Sequence, residues 1–169
     1  FLNIVDKRND GYHNIQSIFH LVDLFDYLSF NKRQDNKIIF NSNIKYLKEE
    51  NLVTKSLDIL RESYQIKNFG MEINLVKNIP VGSGLGGGSS NAATTLIALS
   101  KIWDLTASKK DLMAIGLELG SDVPFFINGK NAWVEGRGEK LKKIKLESKW
   151  YLLMYSKKPI FTKDFIAPL

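Results

Sequence analysis

The segment Pro80-Val81-Gly82-Ser83-Gly84-Leu85-Gly86-Gly87-Gly88-Ser89-Ser90 holds five glycines in eleven residues. It stands between a run that alternates apolar and polar residues and a run with helical spacing. Glycine lacks a Cβ, so such a loop can adopt positive φ and bring its backbone close to a ligand. A helix starting directly behind it offers unpaired N–H groups and the positive end of its dipole. Together these suit a polyphosphate. The structural alternative is a flexible linker, but such linkers rarely join a strand to a capped amphipathic helix.

Three glycine-rich phosphate motifs can be compared with this spacing. A Walker A loop carries Lys-Ser/Thr after its glycines, and no lysine lies between Lys77 and Lys101. A literal G-x-G-x-x-G is present at Gly82, Gly84 and Gly87, with Asp104 near the acidic position of a dinucleotide fold. Thr106-Ala107-Ser108 and another helical pattern follow it, however, where a second parallel strand is needed. A protein-kinase glycine loop joins two strands, whereas this one runs into a helix. None of the three fits. Elsewhere, Asp122 follows Gly120-Ser121 and precedes Val123-Pro124, where its neighbours alone suggest a helix cap. Of the two histidines, His20 has no motif around it and reads as structural.

The elements that must position these residues follow from periodicity. Residues 1–5, roughly 14–24, 27–30 and Ile38-Ile39-Phe40 have strand-like content, so the first third reads as β. Val53, Leu57, Leu60 and Tyr64 share one helical face behind a plausible cap at Asn51. Met71, Ile73 and Leu75 alternate with Glu72 and Asn74, predicting a strand that runs into Lys77-Asn78-Ile79-Pro80. Ala92, Leu96, Leu99 and Trp103 predict a second helix. Leu112, Ile115, Gly116 and Leu119 predict a third, with Ser108 as cap and Gly120 at its end. Strands are expected at 125–128, 131–135 and 150–155. The order suggests α+β layers rather than regular βαβ alternation.

Composition narrows the classes. The chain has 169 residues, 44% hydrophobic and 25% charged, which fits one folded domain and excludes a disordered or fibrous chain. With no cysteine, disulfides, Cys-based zinc sites and thiol catalysis are excluded. No run reaches the roughly 18 apolar residues of a membrane span, and no basic-then-apolar leader opens the sequence. The chain begins at Phe1 inside an apolar run, so a fragment is expected. A net charge of +6, with 20 lysines and 4 arginines, favours an anionic partner, either nucleic acid or a phosphorylated metabolite. The basic run Lys140-Leu141-Lys142-Lys143-Ile144-Lys145 lacks stacking aromatics and reads as an exposed strand or helix end.

The pattern Pro80-x-x-x-Gly84-Leu85-Gly86, then Ser89-Ser90 and an alanine-bearing helix, resembles the ATP-binding signature of the GHMP kinases. The expanded run from Gly84 to Ala93 is similar to one branch, the 4-diphosphocytidyl-2-C-methyl-D-erythritol kinases. Asp10-Gly11-Tyr12-His13, with Gln16, Phe19 and Asp23, resembles that branch's amino-terminal motif. Leu119-Gly120-Ser121-Asp122-Val123-Pro124-Phe125-Phe126 resembles its L-G-x-D-V-P-x-F motif.

The resemblance implies an α+β fold, a ribosomal-protein-like two-layer β/α sandwich. Residues 1–155 would form the ATP-binding domain, and 156–169 would begin a connection to a carboxy-terminal domain. It implies ATP and Mg²⁺ as cofactors, with the nucleotide held by Pro80, Val81, Gly82, Ser83, Gly84, Leu85, Gly86, Gly87, Gly88, Ser89, Ser90, Asn51 and Lys77. Lys77 reads equally as a solvent-facing strand end. Ser89 and Ser90 would hold phosphate oxygens or the Mg²⁺ shell, and either could cap the helix. Asp122 would be the catalytic carboxylate, accepting or orienting the acceptor's hydroxyl proton. The acceptor would be a small-molecule cytidine diphosphate, phosphorylated in non-mevalonate isoprenoid synthesis, with no nucleic-acid or membrane partner. Its base would be held by Tyr12, His13 and Thr162, with Phe165 replacing the aromatic expected at Ile166. The family's catalytic lysine would precede Phe1, so this piece alone is expected to be inactive. The compartment would be bacterial cytoplasm or a plastid-type organelle. Two further readings stay open: another GHMP small-molecule kinase, or a basic RNA-binding module, which steep salt dependence would reveal.

Overall fold

The structure is a computed structural model that describes residues 1–45, 47, 51–67 and 70–154. Thr162, Phe165, Ile166 and the connection expected over 156–169 lie outside the described residues. The described residues form, in chain order, β1 (Leu2–Lys7), β2 (His13–Phe19), β3 (Tyr27–Arg33), β4 (Ile38–Ser42) and α1 (Leu52–Ser63). There follow β5 (Gly70–Val76), α2 (Gly87–Ile102), α3 (Lys109–Leu119), α4 (Val123–Asn128), β6 (Ala132–Gly136) and β7 (Lys140–Lys143). One sheet has the order β1-β2-β6-β7 and is antiparallel throughout. The other has the order β3-β5-β4, with β3 antiparallel and β4 parallel to β5. A parallel pair needs a crossover, and α1 supplies it between β4 and β5. This is the α+β class that the order of elements predicted.

Local chemistry explains the helix starts. The Asn51 side chain accepts from Val53 N at 2.8 Å and Thr54 N at 3.3 Å, while Thr54 Oγ1 accepts from Asn51 N at 3.0 Å, a reciprocal capping box. Ser108 and Asp111 cap α3 in the same way, at 3.2 and 2.8 Å. Between the β3-β5-β4 sheet and α1 to α3 lies the larger core, with Leu57, Leu60, Met71, Ile73, Leu96 and Leu99 fully buried. A smaller core joins Phe125 to Ala132 and Val134 of the other sheet. Phe126 packs against both cores.

Three expectations are corrected. Residues 125–128 are not a strand but most of α4. The apolar run Phe125-Phe126-Ile127 has no decisive period, whereas Pro124 in the first turn and Gly129 at φ 66° mark a short helix. A Cβ on Gly116 would lie 2.8 Å from Val123 and 2.9 Å from Ile127, so this glycine lets α4 lie close on α3. Residues 150–154 form no regular element, and Trp150, Leu152 and Met154 are exposed. β2 ends at Phe19 rather than near 24, because Leu24 N bonds Val22 O at 2.9 Å in a turn.

Leu96, on the buried face of α2, is fully buried. Leu96→Ala is expected to cost about 2–5 kcal/mol, read as a lower urea midpoint; a loss under about 1 kcal/mol would contradict this packing.

Candidate functional site

The glycine loop leaves β5 and enters α2 through a backbone that other residues rarely adopt. Gly82, Gly84 and Gly86 have φ of 72°, 75° and 67°. Gly86 is the N-cap of α2, and no side chain caps the helix. The alternative in which Ser89 or Ser90 caps α2 is therefore corrected, since both lie inside the helix. Its first-turn N–H groups lack a side-chain cap, as an anion site requires. A Cβ on Gly87 would lie 2.7 Å from Lys77 Nζ and 2.8 Å from Ile79 Cγ2, and one on Gly86 2.9 Å from the Phe126 ring. The loop is thus seated between the end of β5 and α4, with no space for side chains at these two positions.

Two cavities flank it. One, of about 230 Å³, brings together Asn51, Lys77, Pro80, Val81, Gly82, Ser83, Gly84, Gly87 and Gly88, all expected at the nucleotide site. The other, of about 190 Å³, is lined by Leu85, Gly86 and Asp122, with His20, Phe125 and Phe126 among its walls. Ser89 and Ser90 line neither, but Ser89 Oγ lies 4.0 Å from the position a Cβ on Gly120 would take, facing the Gly120-Ser121-Asp122 segment. Asp122 occupies the N-cap position of α4 yet makes no capping hydrogen bond, so the capping role suggested by its neighbours is corrected. Burial pushes its carboxyl above the usual carboxylate range.

Lys77 is not a solvent-facing strand end. Its side chain is 6% exposed and forms an ion pair with Asp26, which is 2% exposed. Asp26 Oδ1 also accepts from Asn78 N at 2.7 Å and Ile79 N at 2.8 Å. Burial works to raise the Asp26 pKa, but these bonds and the Lys77 charge hold it below the ordinary value. Sequence reasoning missed Asp26, because one aspartate before a strand carries no motif.

Tyr12 and His13 end a tight turn. Arg8 N donates to Tyr12 O at 2.8 Å, Gly11 has φ 83°, and Asp10 accepts from Tyr12 N at 3.1 Å. The half-exposed Tyr12 ring lies 4.3 Å from the Arg137 guanidinium, and among the described residues His13 Nε2 is buried without a partner. Arg137, also missed in the sequence, sits in the β6–β7 turn. That turn packs on the residue before Asp122, since a Cβ on Gly138 would lie 2.8 Å from Ser121 O. His20 Nδ1 lies 2.9 Å from Tyr151 Oη, while the residue is also among the walls of the Asp122 cavity. Among the described residues, no three His, Cys, Asp or Glu groups could hold a metal ion, and no helix is long and apolar enough to cross a membrane.

Residues 51–130 match the family GHMP kinases N terminal domain. The chain is 45% identical over 166 residues to a 4-diphosphocytidyl-2-C-methyl-D-erythritol kinase of Francisella philomiragia, covering 98% of this chain and 60% of that protein. It is 48% identical over 157 residues to the protein of that name from Acinetobacter baylyi, covering 91% and 56%. A crystal structure of 4-(cytidine 5'-diphospho)-2C-methyl-D-erythritol kinase superposes with TM-score 0.70 at 35% identity, covering 86% of this chain and 52% of that one. Homoserine kinase from Cytophaga hutchinsonii shares the fold at TM-score 0.61 and 19% identity, covering 79% and 46%. The chain thus spans about 56–60% of the length of the two curated relatives.

The raised pKa of Asp122 has a stability consequence. Below its unfolded-state pKa both states are protonated and nothing is lost; as pH rises through the folded-state pKa, ionisation favours the unfolded chain. Asp122→Asn is therefore expected to be more stable than the parent at pH 7, with the difference shrinking towards pH 3 in urea titrations. A variant less stable at pH 7 would contradict this reading.

Proposed function

Because the chain belongs to the GHMP kinases, whose amino-terminal domain it matches, we propose that it forms the nucleotide-binding part of an ATP-dependent small-molecule kinase. The proposed acceptor is the 2-hydroxyl of 4-(cytidine 5'-diphospho)-2-C-methyl-D-erythritol, a step in non-mevalonate isoprenoid synthesis. The observation carrying this reading is the shared wall: Gly86 of the loop and Asp122 line one cavity.

The residues present fit ATP. The approach at Gly86 and Gly87 that a Cβ would block, the uncapped first turn of α2 and the Lys77 ammonium together suit phosphates. Asn51 and Lys77 would border the nucleotide, and Ser89 and Ser90 would offer hydroxyls to phosphate oxygens or to the shell of Mg²⁺. When bound, ATP supplies the phosphoryl group and Mg²⁺ neutralises phosphate charge. Asp122 would accept or orient the proton of the acceptor hydroxyl, and its upward-shifted pKa makes it a stronger base. Tyr12 would stack on the pyrimidine, and the unpartnered His13 Nε2 would hydrogen-bond its edge. Thr162 is proposed for the same base. Residues 1–155 are assigned to the nucleotide-binding domain and 156–169 to the connection leaving it. The bacterial cytoplasm or a plastid-type organelle is the proposed compartment, with no nucleic-acid partner.

The test is phosphate transfer from MgATP by the full-length protein to the cytidyl acceptor, mevalonate and homoserine. Transfer to the cytidyl acceptor is expected, with kcat about 10²–10⁴-fold lower in Asp122→Asn. The acid limb of kcat should lie above the range of an ordinary aspartate. Transfer to mevalonate or homoserine would overturn the acceptor, and no transfer by folded protein, with RNA binding that falls steeply in salt, would overturn the kinase reading.

A further inference from the structure

We propose that Asp26 is a positioning residue of the nucleotide site: its buried carboxylate holds the Lys77 ammonium against the first turn of α2 and fixes the chain entering the glycine loop. The inference rests on reading that site as nucleotide-binding. Asp26 precedes β3, far in sequence from the loop. Its carboxylate nevertheless accepts from three donors of one short segment: the Lys77 ammonium and the backbone N–H groups of Asn78 and Ile79. Asn78 Nδ2 donates to Phe25 O at 2.8 Å and completes a clip of residues 25–26 on 77–79. Asn43 bonds the Lys77 backbone on both sides, accepting at 2.8 Å and donating at 3.2 Å. The three residues before Pro80 are thus fixed in both main chain and side chain.

Desolvating two charges costs several kcal/mol per ion, and apolar residues of similar size often do as well for stability. A buried pair therefore calls for a reason beyond holding strands together, and its position supplies one. Lys77 Nζ lies 2.7 Å from where a Cβ on Gly87 would be, at the N-terminus of α2, and Lys77 lines the loop cavity. A cation there opposes the positive end of the helix dipole, so without a nearby anion it would turn away or lose its proton. Asp26 supplies the anion. It uses one of three ammonium donors and leaves the others for an anionic ligand, with the rotamer cost already met before the ligand arrives.

In the full-length protein, Asp26→Asn keeps an acceptor for the backbone N–H groups and removes the charge. It is expected to raise KM for ATP at least tenfold and leave KM for the cytidyl acceptor within twofold. Because Asp26 acts through Lys77, adding Asp26→Asn to Lys77→Met should change KM for ATP no further, although a purely structural role would still lower stability in that background. An unchanged KM for ATP, an equal rise in both KM values, or multiplying effects of the two substitutions would overturn the proposal. Should Asp26→Asn not fold, Asp26→Glu gives the same split: a raised KM for ATP alone supports it, and an unchanged one overturns it. Parent protein that binds no ATP in a titration would instead overturn the nucleotide reading itself.

Discussion

Between the end of β5 and the first turn of α2 there is no room for a side chain. Lys77 and Ile79 press on Gly87 from one side, and the Phe126 ring presses on Gly86 from the other. Two successive glycines are the covalent answer to this crowding. The helix consequently begins on a residue that cannot cap it, and its N–H groups stay available. A strand end, a helix start and a short helix meet at one loop, and a cavity opens on each face of it.

Phe126 joins the larger core to the smaller one, so the loop is seated on the seam between the two sheets' cores. Asp122 lies one turn before Phe126 on the same helix, and Phe126 N reaches Asp122 O at 3.4 Å. The packing that seats the loop therefore also places the carboxylate. That carboxylate is held part-buried, with no group among the described residues offsetting its desolvation, an arrangement that opposes stability and suits a proton-handling group. Beside it, the turn at Gly138 rests on Ser121, and its Arg137 covers the Tyr12 ring. The Tyr12 turn and the Asp122 carboxylate are joined through these few contacts.

Much of this was legible in the sequence because it depends on neighbours. Asn51 and Ser108 announced their caps, Met71-Ile73-Leu75 announced β5, and the glycine run announced a tight loop between that strand and a helix. The segment 125–128 misled because three apolar residues in a row fit strand and helix alike, and only packing against Gly116 decides. Lys77 read equally as a site residue and as a solvated strand end, because its partner Asp26 is 51 residues away. Arg137 was hidden for the same reason: a guanidinium stacked on Tyr12 is a contact between distant turns. Capping was the alternative for Ser89 and Ser90 because their type favours it, yet the glycines before them start the helix earlier.

The central claim is that the close approach at Gly87 makes the loop a phosphate site. Gly87 lies within α2 and its φ is not positive, so alanine is tolerated by the backbone and improves helix propensity by up to about 1 kcal/mol. Its added methyl group must displace Lys77 or Ile79. The most direct measurement is a calorimetric titration of MgATP into full-length Gly87→Ala beside the parent, with thermal unfolding of both. The account predicts at least tenfold weaker binding by a variant that melts within a few degrees of the parent. Parent-like affinity in the folded variant would contradict it.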